Sequence, residues 1–281
     1  MQDFSAWIGR STEAEDELTE RRCQEFTATF EDLLFPVAPG HAPLGMHWCL
    51  SDSPMPTSKL SEDGLAAEDG FRPPIPLPMR MAAGSDLHFT GSLPRAGTVR
   101  RVTSIADIQT KQGRSGPLVF LTLEHAYLAD GSPALREVQR VVYRGPAPKA
   151  SADESETRSG RQIARPFAEE RTVDRLAIRM FRYSALTSNA HRIHYDADYA
   201  RDTEGYAGLV VHGPLQATLL LNLAASCGDA IPAAFTYRAN AALIASAPFS
   251  IRAGSLSDGE LTCWTEDSAG NICMEATARW R

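Results

Sequence analysis

Hydrophobic and polar residues alternate with a period of two between residues 79 and 145, most clearly at Val119, Leu121 and Leu123. Alternation of this kind is typical of strands that bury one face. Turn-forming residues interrupt it at three places, 94–97, 113–117 and 130–131. Short interruptions between alternating runs are the mark of hairpins. The pattern predicts an antiparallel meander over 79–145.

A different pattern occupies residues 214–227, which are apolar on almost every side. A helix with no polar face is expected to be surrounded by protein. Pro214 suits the first helical position, and Gly228 suits the position just after the helix end. Four strand-like runs follow this helix, at 233–242, 248–255, 259–266 and 271–280. The second half of the chain therefore predicts one buried helix and a second meander.

The first 78 residues contain a helix and a long irregular segment. Apolar residues at helical spacing predict a helix over 19–34, with Thr19 as its N-cap and Pro36 beyond its end. Residues 36–78 are rich in proline and lack a period. A segment of that length without regular structure usually covers a core or serves a function.

Residues 146–165 are rich in Ala, Ser, Pro and charge, and they are the best candidate for a linker. They separate an N-terminal half, 1–145, from a C-terminal half, 166–281. A buried helix with an antiparallel meander is typical of the hot-dog arrangement. Two halves of this shape predict an α+β chain with a double hot-dog fold.

Composition narrows the classes of function. The chain has 281 residues, of which 43% are hydrophobic and 22% charged, and a net charge of −7. An acidic chain is not expected to bind nucleic acid, which requires a basic surface. Five scattered cysteines without a CxxC pair favour a reducing compartment. The N-terminus is acidic and lacks the hydrophobic region of a signal peptide, and no apolar run is long enough to span a membrane. These observations predict a soluble cytoplasmic protein.

Histidines and an asparagine cluster in the stretch that leads into the apolar helix. It reads S-A-L-T-x-N-x-H-x-I-H-Y-D at 184–196 and G-Y-x-G-L-V-V-H-G-P-L-Q-A at 205–217. These motifs resemble the type 2 hydroxyacyl-thioester dehydratase branch of the MaoC-like hydratases. The segments W-I-G-R (7–10), P-P-I-P-L-P-x-R-M (73–81) and R-S-G-P-L-V-F (114–120) extend the resemblance over nearly the whole chain.

The resemblance implies catalytic roles for three residues of this stretch. His194 is expected to be the general base, since the ordinary pKa of histidine lies near working pH. Asn189 stands where the broader family keeps an aspartate, and its amide is expected to hold the reacting water. The backbone N–H of Gly213, at the N-terminus of the apolar helix, is expected to stabilise the enolate. The proton for Cα would come from His194 or His191.

Further residues are candidates for binding the substrate. The predicted substrate-binding residues are His191, Arg192, His212, Arg182, Tyr237 and Arg238. Arginine binds carboxylate or phosphate in a bidentate manner, so Arg192 or Arg182 would hold a free carboxylate of the acyl group. The histidines and Asp196 would also suit a metal ion. The resemblance implies no metal and no cofactor, because CoA is part of the substrate.

The reaction implied is a reversible hydration of an α,β-unsaturated acyl-CoA. Bacterial chains of this layout are similar to hydratases that convert mesaconyl-C4-CoA (3-methylfumaryl-CoA) to citramalyl-CoA. The rival in the same chemistry is a 3-hydroxyacyl-thioester dehydratase acting on CoA or acyl carrier protein. Rivals of other classes are a hot-dog thioesterase and a silent acyl-CoA binding module. The first half lacks a second copy of the motif, which predicts one active site per chain, and a homodimer is left open.

Overall fold

A computed structural model describes residues 3–50, 55–66, 70–113, 116–145 and 165–280. The first-half strands are β1 (Ser11–Leu18), β2 (Met79–Phe89), β3 (Gly97–Gly113), β4 (Gly116–Ala129) and β5 (Ser132–Arg144). The second-half strands are β6 (Glu169–Val173), β7 (Ala234–Ala239), β8 (Phe249–Ala253), β9 (Glu260–Glu266) and β10 (Ile272–Arg279). In the described part of the chain, these ten strands pair into one sheet in the order β1-β3-β4-β5-β2-β7-β10-β9-β8-β6. The predicted linker 146–165 lies, except for its last residue, outside the described residues.

The two halves meet where β2 pairs with β7. This antiparallel pairing sets Ser85 opposite Tyr237 and Gly84 opposite Arg238. A Cβ on Gly84 would lie 2.3 Å from the carbonyl oxygen of Tyr237. Only glycine allows the two backbones to approach this closely. A bulge between Ala82 and Gly84 bends β2 just before this contact.

The helices of the described residues are α1 (Glu20–Phe30), α2 (Leu176–Leu186), α3 (Ala197–Asp202) and α4 (Gly213–Gly228). Thr19 caps α1 as predicted, because its hydroxyl accepts from the N–H of Arg22 at 3.2 Å. The helix ends earlier than residue 34. A 3₁₀ turn follows it at Glu31–Leu33, and Glu31 has a positive φ of 55°. A positive φ cannot continue a right-handed helix.

Helix α4 is buried along almost its whole length, as its sequence predicts. It packs against β8, β9 and β10, so the second-half strands curve around it. The prediction that Gly228 follows the helix is wrong by one residue. Asp229 is the left-handed residue, with a φ of 48°, and Gly228 lies within the helix. A Cβ on Gly228 would lie 2.4 Å from the ring of Trp280, which explains the glycine.

Strand β1 and helix α2 have no counterpart in the predicted elements. The β1 sequence, STEAEDEL, buries only Leu18 and lies at the edge of the sheet beside β3. An edge strand without an apolar face gives no alternating signal. Helix α2 buries Leu176, Met180 and Tyr183 on one face, but Phe181 is exposed on the other. Among the described residues, no helix is both long and apolar enough to cross a membrane.

The proline-rich segment lies over the start of the second half. Its described part contains a buried 3₁₀ helix at Met46–Cys49. Further along, the N–H of Arg192 donates to the carbonyl of Asp63 at 2.8 Å. Gly64 has a φ of 87°, and a Cβ there would lie 1.9 Å from the carbonyl oxygen of Ala190. The segment is therefore in backbone contact with the stretch that carries the predicted catalytic residues.

Candidate active site

The predicted catalytic residues lie in a cavity of about 500 Å³ between the two halves. From the second half it is lined by Asn189, His191, His194 and Gly213, among others. From the first half it is lined by residues of the proline-rich segment and by inward-facing positions of β2 and β5. The structure thus brings together the three residues assigned to catalysis. Their chemical roles stay predictions.

The segment after α2 positions these side chains by local backbone hydrogen bonds. The N–H of Asn189 donates to the carbonyl of Ser184 at 2.9 Å, after Ser188 takes a φ of 50°. A 3₁₀ turn at Arg192–His194 follows, and Asp196 caps α3 by accepting from the N–H of Tyr199. Two tight turns in succession place Asn189 and His194 on the same cavity.

The tautomer of His194 is fixed by its backbone partner. Its Nδ1 lies 2.7 Å from the carbonyl oxygen of Val210, which can only accept a hydrogen bond. Nδ1 therefore carries the proton in the neutral ring, and Nε2 is left with a free lone pair. Burial lowers the pKa of His194 to about 4. The ring is consequently neutral at physiological pH, and its unprotonated nitrogen is available to accept a proton.

His212 packs against His194 and is buried behind it. The two rings stack with centroids 3.6 Å apart and planes 20° apart. The Nε2 of His212 lies 2.8 Å from the hydroxyl of Ser184, and the residue is fully buried. It does not line the cavity, contrary to its assignment as a substrate-binding residue. Burial holds the pKa of His212 well below its usual value, so two neutral rings can stack.

Asn189 is oriented by the backbone of the same turn. Its Oδ1 accepts from the N–H of His191 at 3.0 Å. Because an N–H must meet an oxygen, this bond settles which end of the amide is which. The NH₂ group of Asn189 then remains to donate toward the cavity. The Asn189 amide can thus donate a hydrogen bond within the cavity, and one lone pair of its oxygen is already engaged.

His191 lines the cavity beside His194, with ring centroids 5.5 Å apart. Its Nε2 lies 3.6 Å from Oε1 of Glu204, and both side chains are buried. This contact directs the nitrogen toward α3 and its following loop. His191 therefore forms part of the cavity wall, and its contact with the Glu204 carboxylate orients the ring.

Gly213 opens α4 at the cavity surface. A Cβ built on it would meet nothing within 4 Å, so the space before it is open. The N–H of Gln216 bonds the carbonyl of His212, while the N–H of Gly213 precedes the first helical hydrogen bond. The free N–H and the positive end of the helix dipole together suit a developing oxyanion.

The two arginines assigned to carboxylate binding have other partners. Arg192 pairs with Asp196 at 2.8 Å, and its guanidinium lies over the ring of Tyr199 at 4.1 Å. Arg182 donates to the carbonyl of Ala28 at 2.9 Å. Neither lines the cavity. The sequence placed Arg192 near the catalytic segment correctly, but the 3₁₀ turn directs its side chain toward α3.

Tyr237 and Arg238 also lie away from the cavity. Tyr237 is buried, and its ring is nearly perpendicular to that of Trp48, with the ring centroids 6.0 Å apart. Arg238 is exposed on the opposite face of β7, beside Glu275 of β10. Successive residues of a strand point to opposite faces, so at most one of the pair was able to face inward.

Two arginines that were not among the predicted site residues line the cavity. Arg72 and Arg80 both line the cavity, together with Gln139 of β5. Arg80 is part of the P-P-I-P-L-P-x-R-M motif at 73–81, which carried the resemblance without a role for its arginine. That motif was the available signal. Across the described residues, no group of three or more His, Cys, Asp or Glu is arranged to hold a metal ion.

Comparison with known proteins gives a sequence family and a relative. A family model described as hydroxyacyl-thioester dehydratase type 2 matches residues 45–245. The mesaconyl-C(4)-CoA hydratase of Chloroflexus aurantiacus is 40% identical over 255 residues, which cover 89% of this chain and 89% of that protein. The family match includes α4 and the stretch that carries the predicted catalytic residues.

Solved structures share the fold at low identity. A MaoC-like dehydratase from Phytophthora capsici has a TM-score of 0.70 and 14% identity, covering 97% of this chain and 95% of that one. A conserved hypothetical protein of Mycobacterium tuberculosis, described as a double hot-dog fold, has a TM-score of 0.58 and 13% identity, covering 97% and 96%. These similarities confirm the predicted α+β double hot-dog fold.

Proposed function

The chain belongs to the hydroxyacyl-thioester dehydratase type 2 family, and on that premise we propose that it reversibly hydrates mesaconyl-C4-CoA to citramalyl-CoA. The chain is a hydro-lyase acting on acyl thioesters, as its sequence predicted. The observation that carries the mechanism is the unprotonated Nε2 of His194 in a cavity that also contains the N-terminus of α4. The identity of the acyl group rests on the 40% identical relative.

Water activation falls to His194 and Asn189. The Nε2 of His194 accepts a proton from the water, whose oxygen attacks Cβ of the double bond. The NH₂ group of Asn189 donates to the same oxygen and orients its lone pair toward the carbon. Burial keeps His194 neutral, so no proton has to leave before the reaction begins.

Attack on Cβ moves the double-bond electrons onto the thioester oxygen. The N–H of Gly213 stabilises that enolate, helped by the dipole of α4. Protonation of Cα then restores the carbonyl. We assign this proton to Nε2 of His194, because that nitrogen has just received one and because Nε2 of His191 faces Glu204. A lowered pKa makes the His194 imidazolium a stronger acid and favours its release.

The reverse reaction uses the same groups, so dehydration of a 3-hydroxyacyl thioester on CoA or acyl carrier protein is the second candidate. The family description favours it directly. A thioesterase is disfavoured, because the amide of Asn189 occupies the position beside His194 where a carboxylate would be needed. Acyl-CoA remains the proposed substrate, and cytoplasmic location and a homodimer remain predictions.

A direct assay separates these candidates. Purified protein is mixed with mesaconyl-C4-CoA while the enoyl-thioester absorbance and free thiol are both followed. We expect the absorbance to fall without release of thiol, and the product to co-elute with citramalyl-CoA. Thiol appearing before hydrated product would support a thioesterase and reject the proposal. Faster turnover of a straight-chain 3-hydroxyacyl carrier-protein substrate would favour the dehydratase.

A further inference from the structure

Arg80 presents a cationic group to the cavity from the first half. It pairs with Tyr143 across β2 and β5, and Ala82 pairs with Val141 one step further along the same face. Arg80, Ala82 and Val141 all line the cavity. The residue is half-buried. Arg80 is therefore on the same face of the sheet as Ala82 and Val141, at the wall of the cavity.

The guanidinium of Arg80 is without an anionic partner within the described ranges. Several other arginines of the sheet have one: Arg136 pairs with Glu124 at 2.7 Å, and Arg279 pairs with Glu260 at 2.8 Å. The chain has 35 acidic and 28 basic residues, so carboxylates are plentiful. A guanidinium that lines a substrate cavity and has no protein anion beside it is available to bind an anion of the ligand.

We propose that Arg80 binds the free carboxylate of a dicarboxylic acyl group and is a specificity-determining residue of this site. The inference rests on the proposed hydratase function and names the substrate class that fits it. Arginine suits the task because its planar fork matches the two oxygens of a carboxylate. It replaces Arg192 and Arg182 in that role, since both are engaged elsewhere.

Two anchors at opposite ends of the substrate also determine where the hydroxyl group is added. The N–H of Gly213, from the second half, holds the thioester oxygen, and Arg80, from the first half, holds the carboxylate. A carbon–carbon double bond between a thioester and a carboxylate can accept water at either of its two carbons. With both ends held, the proposal places the water on His194 at the carbon next to the carboxylate, which is Cβ of the thioester. The proton then goes to the carbon next to the thioester.

The phosphates of CoA are the other anions that an arginine of this site could bind. They are separated from the thioester by the whole pantetheine arm. Arg80 shares its cavity with His194, which in the proposed mechanism activates the water and protonates Cα. A carboxylate of the acyl group is therefore the closer anion. The two sources are distinguished by substrates that carry one anion and lack the other.

The test compares wild type with Arg80→Gln and Arg80→Lys on three thioesters. These are mesaconyl-C4-CoA, crotonyl-CoA, which lacks the carboxylate, and mesaconyl-C4-pantetheine, which lacks the CoA phosphates. We expect Arg80→Gln to lower kcat/KM by about 10- to 100-fold for both mesaconyl thioesters and by less than about 3-fold for crotonyl-CoA. Arg80→Lys should lose less kcat/KM than Arg80→Gln, because lysine keeps the positive charge but cannot bind a carboxylate in the bidentate manner of arginine.

Arg144→Gln is the matched control, because Arg144 is a half-buried arginine of the neighbouring strand that does not line the cavity. It should retain wild-type kcat/KM on all three thioesters. An equal loss on crotonyl-CoA, or a loss that disappears with the pantetheine thioester, would overturn the proposal. If wild type hydrates crotonyl-CoA but no dicarboxylic thioester, Arg80 loses its role while the hydratase survives. If wild type hydrates none of the three, the proposed function itself fails.

Discussion

The pKa of His194 leads to a specific prediction for the pH dependence of catalysis. Burial lowers this pKa to about 4, against an ordinary value of about 6.5. The acid limb of kcat/KM in the free enzyme should therefore have an apparent pKa near 4. The sign follows from the base role, because the active ring is the neutral one and protonation removes the lone pair on Nε2.

The size of the pKa shift distinguishes a buried His194 base from an unperturbed histidine base. A shift from about 6.5 to about 4 corresponds to about 3 kcal/mol against the charged ring. At pH 5.5 a histidine with a pKa of about 4 is about 97% neutral, whereas one with a pKa of about 6.5 is about 9% neutral. Wild-type kcat/KM should thus be nearly constant from pH 7 to pH 5.5. An unperturbed base would lose about eightfold over the same range.

The assay follows enoyl-thioester absorbance at substrate concentrations below KM, from pH 4.5 to 8. His194→Ala provides the reference and should lose at least about 100-fold in kcat at every pH. An acid limb with an apparent pKa above 6, or an active His194→Ala protein, would refute the reasoning. Circular dichroism at each pH is needed because the lowered pKa of His194 in the folded state also makes the fold less stable in acid. The contribution of neutral His194 to the free energy of unfolding is lost as pH falls from about 6.5 towards 4.

Three substitutions test other parts of the site. Gly64→Ala should lower both Tm and kcat, because its Cβ would lie 1.9 Å from the carbonyl oxygen of Ala190. Gly40→Ala is the control, because Gly40 has a similar positive φ but a Cβ there would meet no atom within 4 Å. The control should lose only about 1 kcal/mol of stability and no activity. Gly213→Ala meets no protein atom, so kcat should fall about 10- to 100-fold with Tm unchanged, and a lowered Tm would argue against an open oxyanion position. Asn189→Asp keeps an acceptor for its backbone partner but adds charge, so the acid limb should move up by about 1–3 pH units; a limb that stays in place would contradict the assigned geometry.

The fold was predictable where hydrophobic patterns are strong. The 79–145 meander and helix α4 bury continuous faces, so their sequence records their environment. Strand β1 was not predictable, because its acidic side chains are solvated and its stability comes from hydrogen bonds to β3. The end of α1 was predicted too late because Glu31 adopts a positive φ for which the residue type gives no signal. Local propensity thus succeeds in the interior of the sheet and fails at its edges and at helix ends.

The candidate site was likewise predictable only where its residues are close in sequence. Asn189, His191 and His194 are close in sequence, and a turn and one 3₁₀ helix suffice to bring them together. A local motif therefore contains nearly all the information about their arrangement. Arg80 joins them only because β2 pairs with β5 on one side and with β7 on the other, contacts that no local pattern encodes. Proximity in sequence made Arg192 the natural candidate for the carboxylate, but its own turn supplied Asp196 as a partner at i+4. A catalytic base can be assigned from a motif, whereas a residue that selects the substrate has to be assigned from the walls of the cavity.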